Sequence, residues 1–493
     1  MTEKSPRVIV VGAGVAGITA AHVLARRGFQ DVVILEKGAE VGGVWHWNKY
    51  PGLTCDVPSN LYQFGFAPKP DWERVFATGP QIQEYLNDVV DELGLRDQLI
   101  VNAEVSAAAF EDDQWTVSLS DGREFAADFI VMATGVLHHP YTPEIPGLSE
   151  FEGRVVHSAR WDDDIEIAGR RIAVIGSGST GVQLVTALQQ VARHVLHFSR
   201  TPQWVMWAPM NLRQPAALTA LLRQFPSART RLYRGLLTGS GFLADITTTP
   251  SWRRRLVQQF ARLSLRLQVR DRRMRAALTP NYEPMCKRQV LSSGYYRAVS
   301  APNVDIVESA ISTVTPKGII TADGNHHRID AIVLATGFHA HNYMRPMDLR
   351  GRGGISIDEA WATGPRAYRM TAIPGFPNLF TVLGPNSPTG SISLQYTAER
   401  TAEYIADWLD RFVAGEFDTV EVTDEATEEF LSAANRAMEP TVWATGCDSW
   451  YLTERGDVDL WPYDRTTLTT LLTEQPDDHF HFTSRANETE ESA

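Results

Sequence analysis

Two distant stretches of this chain share one plan, and no other feature restricts the fold as tightly. In the first, the apolar run Arg7–Val11 enters Gly12-Ala13-Gly14-Val15-Ala16-Gly17, and a helix is expected over Ile18–Arg27. Gly28 stops it, and a second strand, Val32–Leu35, ends on Glu36. In the other, Arg171–Ile175 enters Gly176-Ser177-Gly178-Ser179-Thr180-Gly181. A helix is expected to about Ala192, then a strand, Val195–Ser199, ending on Arg200. First glycine and strand-end residue lie 24 positions apart in both copies, 12 to 36 and 176 to 200. A lone GxGxxG is weak evidence, because glycine turns are common. Between a strand and a helix it has a mechanism. The first glycine makes the tight turn, the second lets backbone approach a pyrophosphate, and the third packs helix on strand. The helix N-terminus then offers unpaired N–H groups to the anion.

The strand-end residues separate two ligands. Glu36 accepts hydrogen bonds from both hydroxyls of an unmodified ribose and repels a 2′-phosphate, which suits FAD or NAD, and the first site reads as FAD. Arg200, with Thr201 beside it, offers the charge and donors a 2′-phosphate needs, which suits NADPH. The expected fold is α/β, with two Rossmann-like dinucleotide-binding domains, the second inserted in the first, and a helical insertion. Strands Phe129–Met132 and Ile329–Leu334 each run into Ala-Thr-Gly, at 133–135 and 335–337, where the chain would pass from one domain to the other. The expected boundaries are 1–140 and 372–493 for the FAD domain, 150–200 and 286–345 for the NADP domain, and 201–285 for the insertion. The polar, acidic stretch 474–493 reads as a disordered tail.

Charge and cysteines narrow the class. A net charge of −13 argues against nucleic acid as partner. Cys55, Cys286 and Cys447 are few, odd in number and far apart, so neither a disulfide framework nor a CxxC redox pair is expected. No Cys/His grouping has zinc-ligand spacing, no metal site is expected, and His326-His327 reads as an exposed turn. Met1–Pro6 leads straight into a strand without room for a signal peptide, and no apolar run reaches membrane-spanning length. The expectation is a soluble cytoplasmic protein of unstated oligomeric state. Between 201 and 285 the chain carries fourteen arginines, no lysine and three acids, a net of +11. There Trp252, Leu256, Phe260, Leu263, Leu267, Met274 and Leu278 recur at helical steps, with Arg253, Arg254, Arg262, Arg266, Arg270 and Arg273 opposite. The reading is a helix packing its apolar face on the domain with its basic face solvated. The alternative is a helix lying on a membrane surface.

Finer motifs carry a family resemblance. Phe151-Glu152-Gly153-Arg154-Val155-Val156-His157-Ser158-Ala159-Arg160-Trp161-Asp162 fits the FxGxxxHxxxW(P/D) fingerprint of Baeyer–Villiger monooxygenases. Gly42-Gly43-Val44-Trp45, Tyr50-Pro51-Gly52 and Asp56 fit a second fingerprint. Asn281-Tyr282, Cys286-Lys287-Arg288, Gly294-Tyr295-Tyr296 and Ser449-Trp450-Tyr451 resemble further blocks. From about Val8 to Leu472 the chain resembles the FAD- and NADPH-dependent class B flavoprotein monooxygenases, and among them the type I Baeyer–Villiger enzymes.

The resemblance implies insertion of one oxygen atom beside a ketone carbonyl, giving an ester or lactone through a C4a-peroxyflavin formed with O2. The small-molecule partners are then a ketone and O2. Only the peroxy anion attacks a carbonyl, and a buried anion needs a cation. The resemblance puts Arg288 in that role, oriented by Asp56. It implies FAD contacts from Gly12, Gly14, Ala16, Gly17, Glu36, Lys37, Val44, Trp45, Asp56, Tyr62, Val105 and Asn386. For NADPH it implies Gly176, Ser177, Gly178, Ser179, Thr180, Gly181, Arg200, Thr201, Lys287 and Trp450. His157 reads as a linker residue coupling domain motion, and the Gly384–Pro388 turn as a source of backbone donors for the flavin edge. The alternatives are a flavin monooxygenase acting on nitrogen or sulfur, which needs no peroxy anion, and a flavoprotein that serves as redox sensor or reductase partner.

Overall fold

Residues 5–484 are described in a computed structural model. Val8–Val11 is an unbroken run of valine and isoleucine buried on both faces, the pattern of a strand inside a parallel sheet. It pairs with Val32–Leu35 on one side and Phe129–Met132 on the other, and the order is completed by Leu99–Ile100 and Leu379–Thr381 at the edges. Arg171–Ile175 occupies the same place in a second five-stranded parallel sheet. His194–Phe198 and Ala331–Leu334 flank it, with Val304–Val307 and Arg154–His157 outermost. The two sheets therefore have one plan, a glycine-turn strand between its ribose-side strand and a strand that ends in Ala-Thr-Gly.

The Ala-Thr-Gly endings explain why the first glycine of each turn has no substitute. A Cβ on Gly12 would lie 2.7 Å from the carbonyl oxygen of Ala133, and one on Gly176 would lie 2.2 Å from that of Ala335. Both glycines also have positive φ, +101° and +121°. Beyond the turns, helices Val15–Arg26 and Ser179–Leu188 cover the sheets. Against the first packs Leu394–Val413, whose Tyr404, Trp408 and Leu409 are fully buried in the largest core cluster. A four-stranded sheet, Asp348–Arg350, Val105–Glu111, Gln114–Leu119 and Glu124–Ala127, closes the other face of the first sheet through Trp115 and Phe110. After the two Ala-Thr-Gly endings the chain segments pair with each other, Tyr141 N–H on the Gly337 carbonyl and His339 N–H on that of His139.

Four expectations are corrected. The helix Trp252–Gln268 forms, but it buries Arg254, Gln258, Ala261, Ser264 and Leu265 and turns Trp252, Leu256, Phe260, Leu263 and Leu267 outward. Arg254 is held inside because its guanidinium finds backbone carbonyls, Ile246 at 2.7 Å, Thr247 at 3.0 Å and Pro440 at 3.2 Å. Cys286 and Cys447 form a disulfide across a sequence separation of 161, a proximity that spacing cannot reveal; Cys55 stays free and buried. His326–Arg328 is an edge strand, antiparallel to Gly318–Thr321. Phe480–Thr483, inside the stretch expected to be disordered, pairs antiparallel with Thr419–Val422 and buries Phe480. Positions 485–493 of that stretch lie outside the described residues. No helix among the described residues is long and apolar enough to cross a membrane.

Candidate active site

The first glycine turn forms a cradle that side chains would fill. A Cβ on Gly17 would sit 1.8 Å from the Gly12 carbonyl oxygen, and one on Gly14 would sit 3.4 Å from Cα of Gly43. Gly43 itself has φ +55° and opens the short helix Val44–Trp47. Glu36 is buried at the strand end, its two oxygens accepting from the N–H groups of Ala13 at 2.7 Å and Gly38 at 2.6 Å. Each carboxylate oxygen keeps a lone pair for a ribose hydroxyl. Ala16 is buried beneath the turn, while Lys37 points outward to an ion pair with Glu104. Trp45 donates its indole N–H to the Tyr62 hydroxyl at 3.0 Å, and the rings meet edge to face. Val105 is buried at the start of its strand.

Across from this cradle, Arg288 and Asp56 meet although 232 positions separate them. The pair is bidentate, with Nη2 to Oδ1 at 2.6 Å and Nε to Oδ2 at 3.2 Å, and Nη1 donates to the Thr389 carbonyl at 3.1 Å. This geometry uses the planar fork that only arginine has. The Asp56 carboxylate holds the guanidinium well above its ordinary pKa, so the site carries a permanent cation. The Thr389 carbonyl it contacts lies in a segment with three polar side-chain atoms that find no partner in the protein. Asn386 Oδ1, Thr389 Oγ1 and Ser391 Oγ are buried and unsatisfied, the condition of a surface that awaits a polar ligand. The backbone N–H of Asn386 is already engaged, donating to Asp459 Oδ1 at 2.6 Å. Tyr451 lies near enough for Arg288 to act on it; burial pushes its phenol up to about 12, with Arg288 opposing. Cys55, next to Asp56, is a thiol that burial pushes up and so keeps protonated.

The second turn repeats the cradle. A Cβ on Gly181 would lie 2.0 Å from the Gly176 carbonyl oxygen, whereas Gly178 faces open space. Gly178 is the N-cap of a helix begun by Ser179-Thr180, and Ser177 Oγ donates to the Thr201 carbonyl at 2.5 Å. Arg200 is exposed beyond the strand end. Lys287 sits close enough for burial first, and Arg200 as well, to lower its pKa; its ammonium lies 4.8 Å from the Tyr282 ring centre. Trp450 is 39% exposed on the following loop, its ring 4.5 Å from that of Tyr451. His157 accepts the Ala159 N–H at Nδ1, and its ring sits close enough to the Gly337 and Tyr141 backbone, in the joint between the two sheets, for both to act on it. Gln183, which motif reading passed over, ties the halves together. It accepts the Tyr50 hydroxyl at 2.9 Å and donates to the Thr54 carbonyl at 2.8 Å. Its only sequence signal is its place on the helix that follows the second turn.

The chain is similar to known proteins over nearly its whole length. A family model described as pyridine nucleotide-disulphide oxidoreductase matches residues 9–214. The chain is 40% identical over 463 residues to a Baeyer-Villiger monooxygenase of Streptomyces coelicolor, covering 92% of this chain and 88% of that one. This chain belongs to the Baeyer–Villiger monooxygenase family. Another family relative, an uncharacterized monooxygenase of Mycobacterium tuberculosis, is 47% identical over 497 residues and the match covers all of both chains. An oxidized steroid monooxygenase bound to NADP has the same fold, with a TM-score of 0.87 at 30% identity, over 98% of this chain and 100% of that one.

Proposed function

We propose that this protein oxidises a ketone to an ester or lactone at the expense of NADPH and O2, with Arg288 as its catalytic cation. One oxygen atom of O2 enters the C–C bond beside the carbonyl, and the other leaves as water with the two electrons of NADPH and a proton. FAD bound at the first cradle supplies the electron transfer and O2 activation. The residues named for each nucleotide are the two glycine turns with Glu36 and Trp45 for FAD, and with Arg200, Thr201, Lys287 and Trp450 for NADPH.

Attack on a ketone carbonyl builds negative charge on oxygen, and a fixed cation in a water-poor site lowers that barrier. The observation that carries the reading is the Arg288–Asp56 fork, braced on the backbone of Thr389, whose own hydroxyl is buried and unsatisfied. Asp56 is the positioning partner. It takes two of the guanidinium donors and Thr389 a third, which fixes the plane and leaves the remaining N–H groups for an anion. Lys287, its charge disfavoured by burial and by Arg200 and supported by Asp448, is poised to gain from a 2′-phosphate, an anion that offsets the repulsion between the two cations. The proposed setting is the cytoplasm. Cys286 and Cys447 are 0% and 4% exposed, which keeps their bond from exchanging with cytosolic thiols.

The test is Arg288→Ala on FAD-loaded protein, assayed with a ketone and with an organic sulfide. Ketone oxidation should fall about 100- to 1000-fold, the usual loss on removing one oxyanion donor. Sulfide oxidation, which uses an electrophilic oxygen, should stay within a few-fold. Undiminished ketone oxidation would rule out the assigned role.

A further inference from the structure

The outward face of the insertion helix is its apolar one. Trp252, Leu256, Phe260, Leu263 and Leu267 are 65%, 59%, 48%, 47% and 71% exposed. At about 100° per residue they fall within roughly a quarter of the helix circumference. Trp207, half exposed, adjoins them, because its backbone N–H donates to Ser264 Oγ on the same helix. The stripe cannot be turned inward by a simple roll. The opposite face is anchored by Arg254 on three backbone carbonyls and by Gln258 on that of Pro284.

We propose that the Trp252–Gln268 helix docks in the plane of an anionic phospholipid bilayer, its apolar stripe in the acyl boundary. Charge decides the occupant. The helix holds no acidic residue, and on the same turn-by-turn projection Arg255 and Arg266 border the stripe on one side and Arg253 on the other. Among the described residues none of these three pairs with a carboxylate, and Arg253 lies over the Trp252 ring at 5.7 Å. Arginines flanking tryptophan, phenylalanine and leucine suit the headgroup boundary, where the stems lie along apolar groups and the guanidinium reaches phosphate. Beside the Arg266 flank a cleft of about 750 Å³ is lined by Arg266, Arg272 and Arg275, with Arg262 paired to Glu283 at 2.6 Å, which leaves room and net positive charge for a phospholipid headgroup. At long range the +11 segment within a chain of −13 turns this face toward an anionic surface and the remainder away. A second copy of the chain fits less well. Stripe against stripe about a two-fold axis would set arginine rows close to arginine rows.

Flotation of the FAD-loaded protein tests this with vesicles of phosphatidylcholine alone and of phosphatidylcholine with phosphatidylglycerol. The protein should float with the phosphatidylglycerol vesicles, far less with the neutral ones, and high salt should weaken the binding. Removing the apolar anchor in Trp252→Ser/Leu256→Ser/Phe260→Ser should abolish flotation. Arg253→Gln/Arg255→Gln/Arg266→Gln should weaken it about a hundredfold. Both variants change exposed side chains and should keep bound flavin and an unchanged melting midpoint. Failure to float with phosphatidylglycerol vesicles would overturn the proposal, as would equal binding by the parent and both variants. So would light scattering that shows a dimer which the triple serine variant splits, since the stripe would then belong to a second copy.

Discussion

His197 supports the second glycine turn from behind, and its chemistry ties the stability of that turn to pH. The ring is fully buried, with Nε2 3.0 Å from the Gly176 carbonyl and Nδ1 3.4 Å from the Tyr295 hydroxyl. A carbonyl can only accept, so Nε2 bears the hydrogen, and Nδ1 is left to accept from the Tyr295 hydroxyl. Burial pushes its pKa down to about 4 from 6.5. Between those values the unfolded chain takes up a proton that the folded chain refuses, so stability falls as pH drops from 6.5 toward 4 and this contribution levels off below. The cost is about 2 kcal/mol between pH 6.5 and about pH 5. His138, pushed down to about 3 by burial, acts in the same direction, so the difference from His197→Gln isolates the His197 share. Urea midpoints for both proteins across this range should show the parent losing stability faster on acidification; parallel curves would refute the assignment. Residues like this were not legible in the sequence. Glu36 and Arg200 announce themselves by fixed offsets from glycine turns, and Asp56 and Arg288 by fingerprint context. His197, Gln183 and Asp459 act through partners set by the fold; for Asp459 these are the Tyr343 hydroxyl at 2.6 Å and the Asn386 N–H.

Among the elements, strands and glycine turns follow local rules and were readable almost to the residue, as at Val32–Leu35, Phe129–Met132 and Arg171–Ile175. What surrounds an element is not local. The periodicity from Trp252 to Leu278 gave one two-faced helix where the chain makes two, Trp252–Gln268 and Arg272–Ala277. The inner face of the first depended on backbone carbonyls at Ile246, Thr247, Pro284 and Pro440 that arginine and glutamine could reach. The same blindness hid the Cys286–Cys447 bond, which fastens the segment carrying Lys287 and Arg288 to the loop carrying Trp450 and Tyr451. A cross-link over a separation of 161 removes much freedom from the unfolded chain. Cys447→Ser should therefore lower stability by about 2–4 kcal/mol, read from denaturant midpoints. The parent measured after unfolding and refolding in reductant should match the variant. A variant as stable as the oxidised parent would show that the two sulfurs are not joined in solution.

At the scale of the whole molecule, two nucleotide cradles of one plan must work on a common reaction. Near Asp56 they meet through Tyr50 and Leu53 packed on the second core and through a few hydrogen bonds. The segments after Gly135 and Gly337 pair with each other, which gives the joint a backbone hinge. Gln183 is the clamp on the other side. It rises from the helix behind the second turn and holds both the Tyr50 hydroxyl and the Thr54 carbonyl, two positions short of Asp56. Gly52, with φ +85°, lets the chain press against the same helix, where a Cβ would come within 3.1 Å of the Gln183 carbonyl. Gln183 touches neither Arg288 nor Asp56, so its influence on chemistry runs through the relative placement of the two cradles. Gln183→Leu keeps an apolar stem, unbranched to Cγ and one atom shorter, and removes the hydrogen bonds to the Tyr50 hydroxyl and to the Thr54 backbone, together worth about 2 kcal/mol. The expected phenotype is a KM for NADPH raised about tenfold and a larger share of consumed NADPH appearing as hydrogen peroxide, because reduction and oxygen transfer lose their common geometry. Stability should fall by no more than about 2 kcal/mol. If Gln183→Leu lost stability while product formed per NADPH consumed stayed at the parent value, Gln183 would be a packing residue and the coupling of the two halves would rest on the hinge alone.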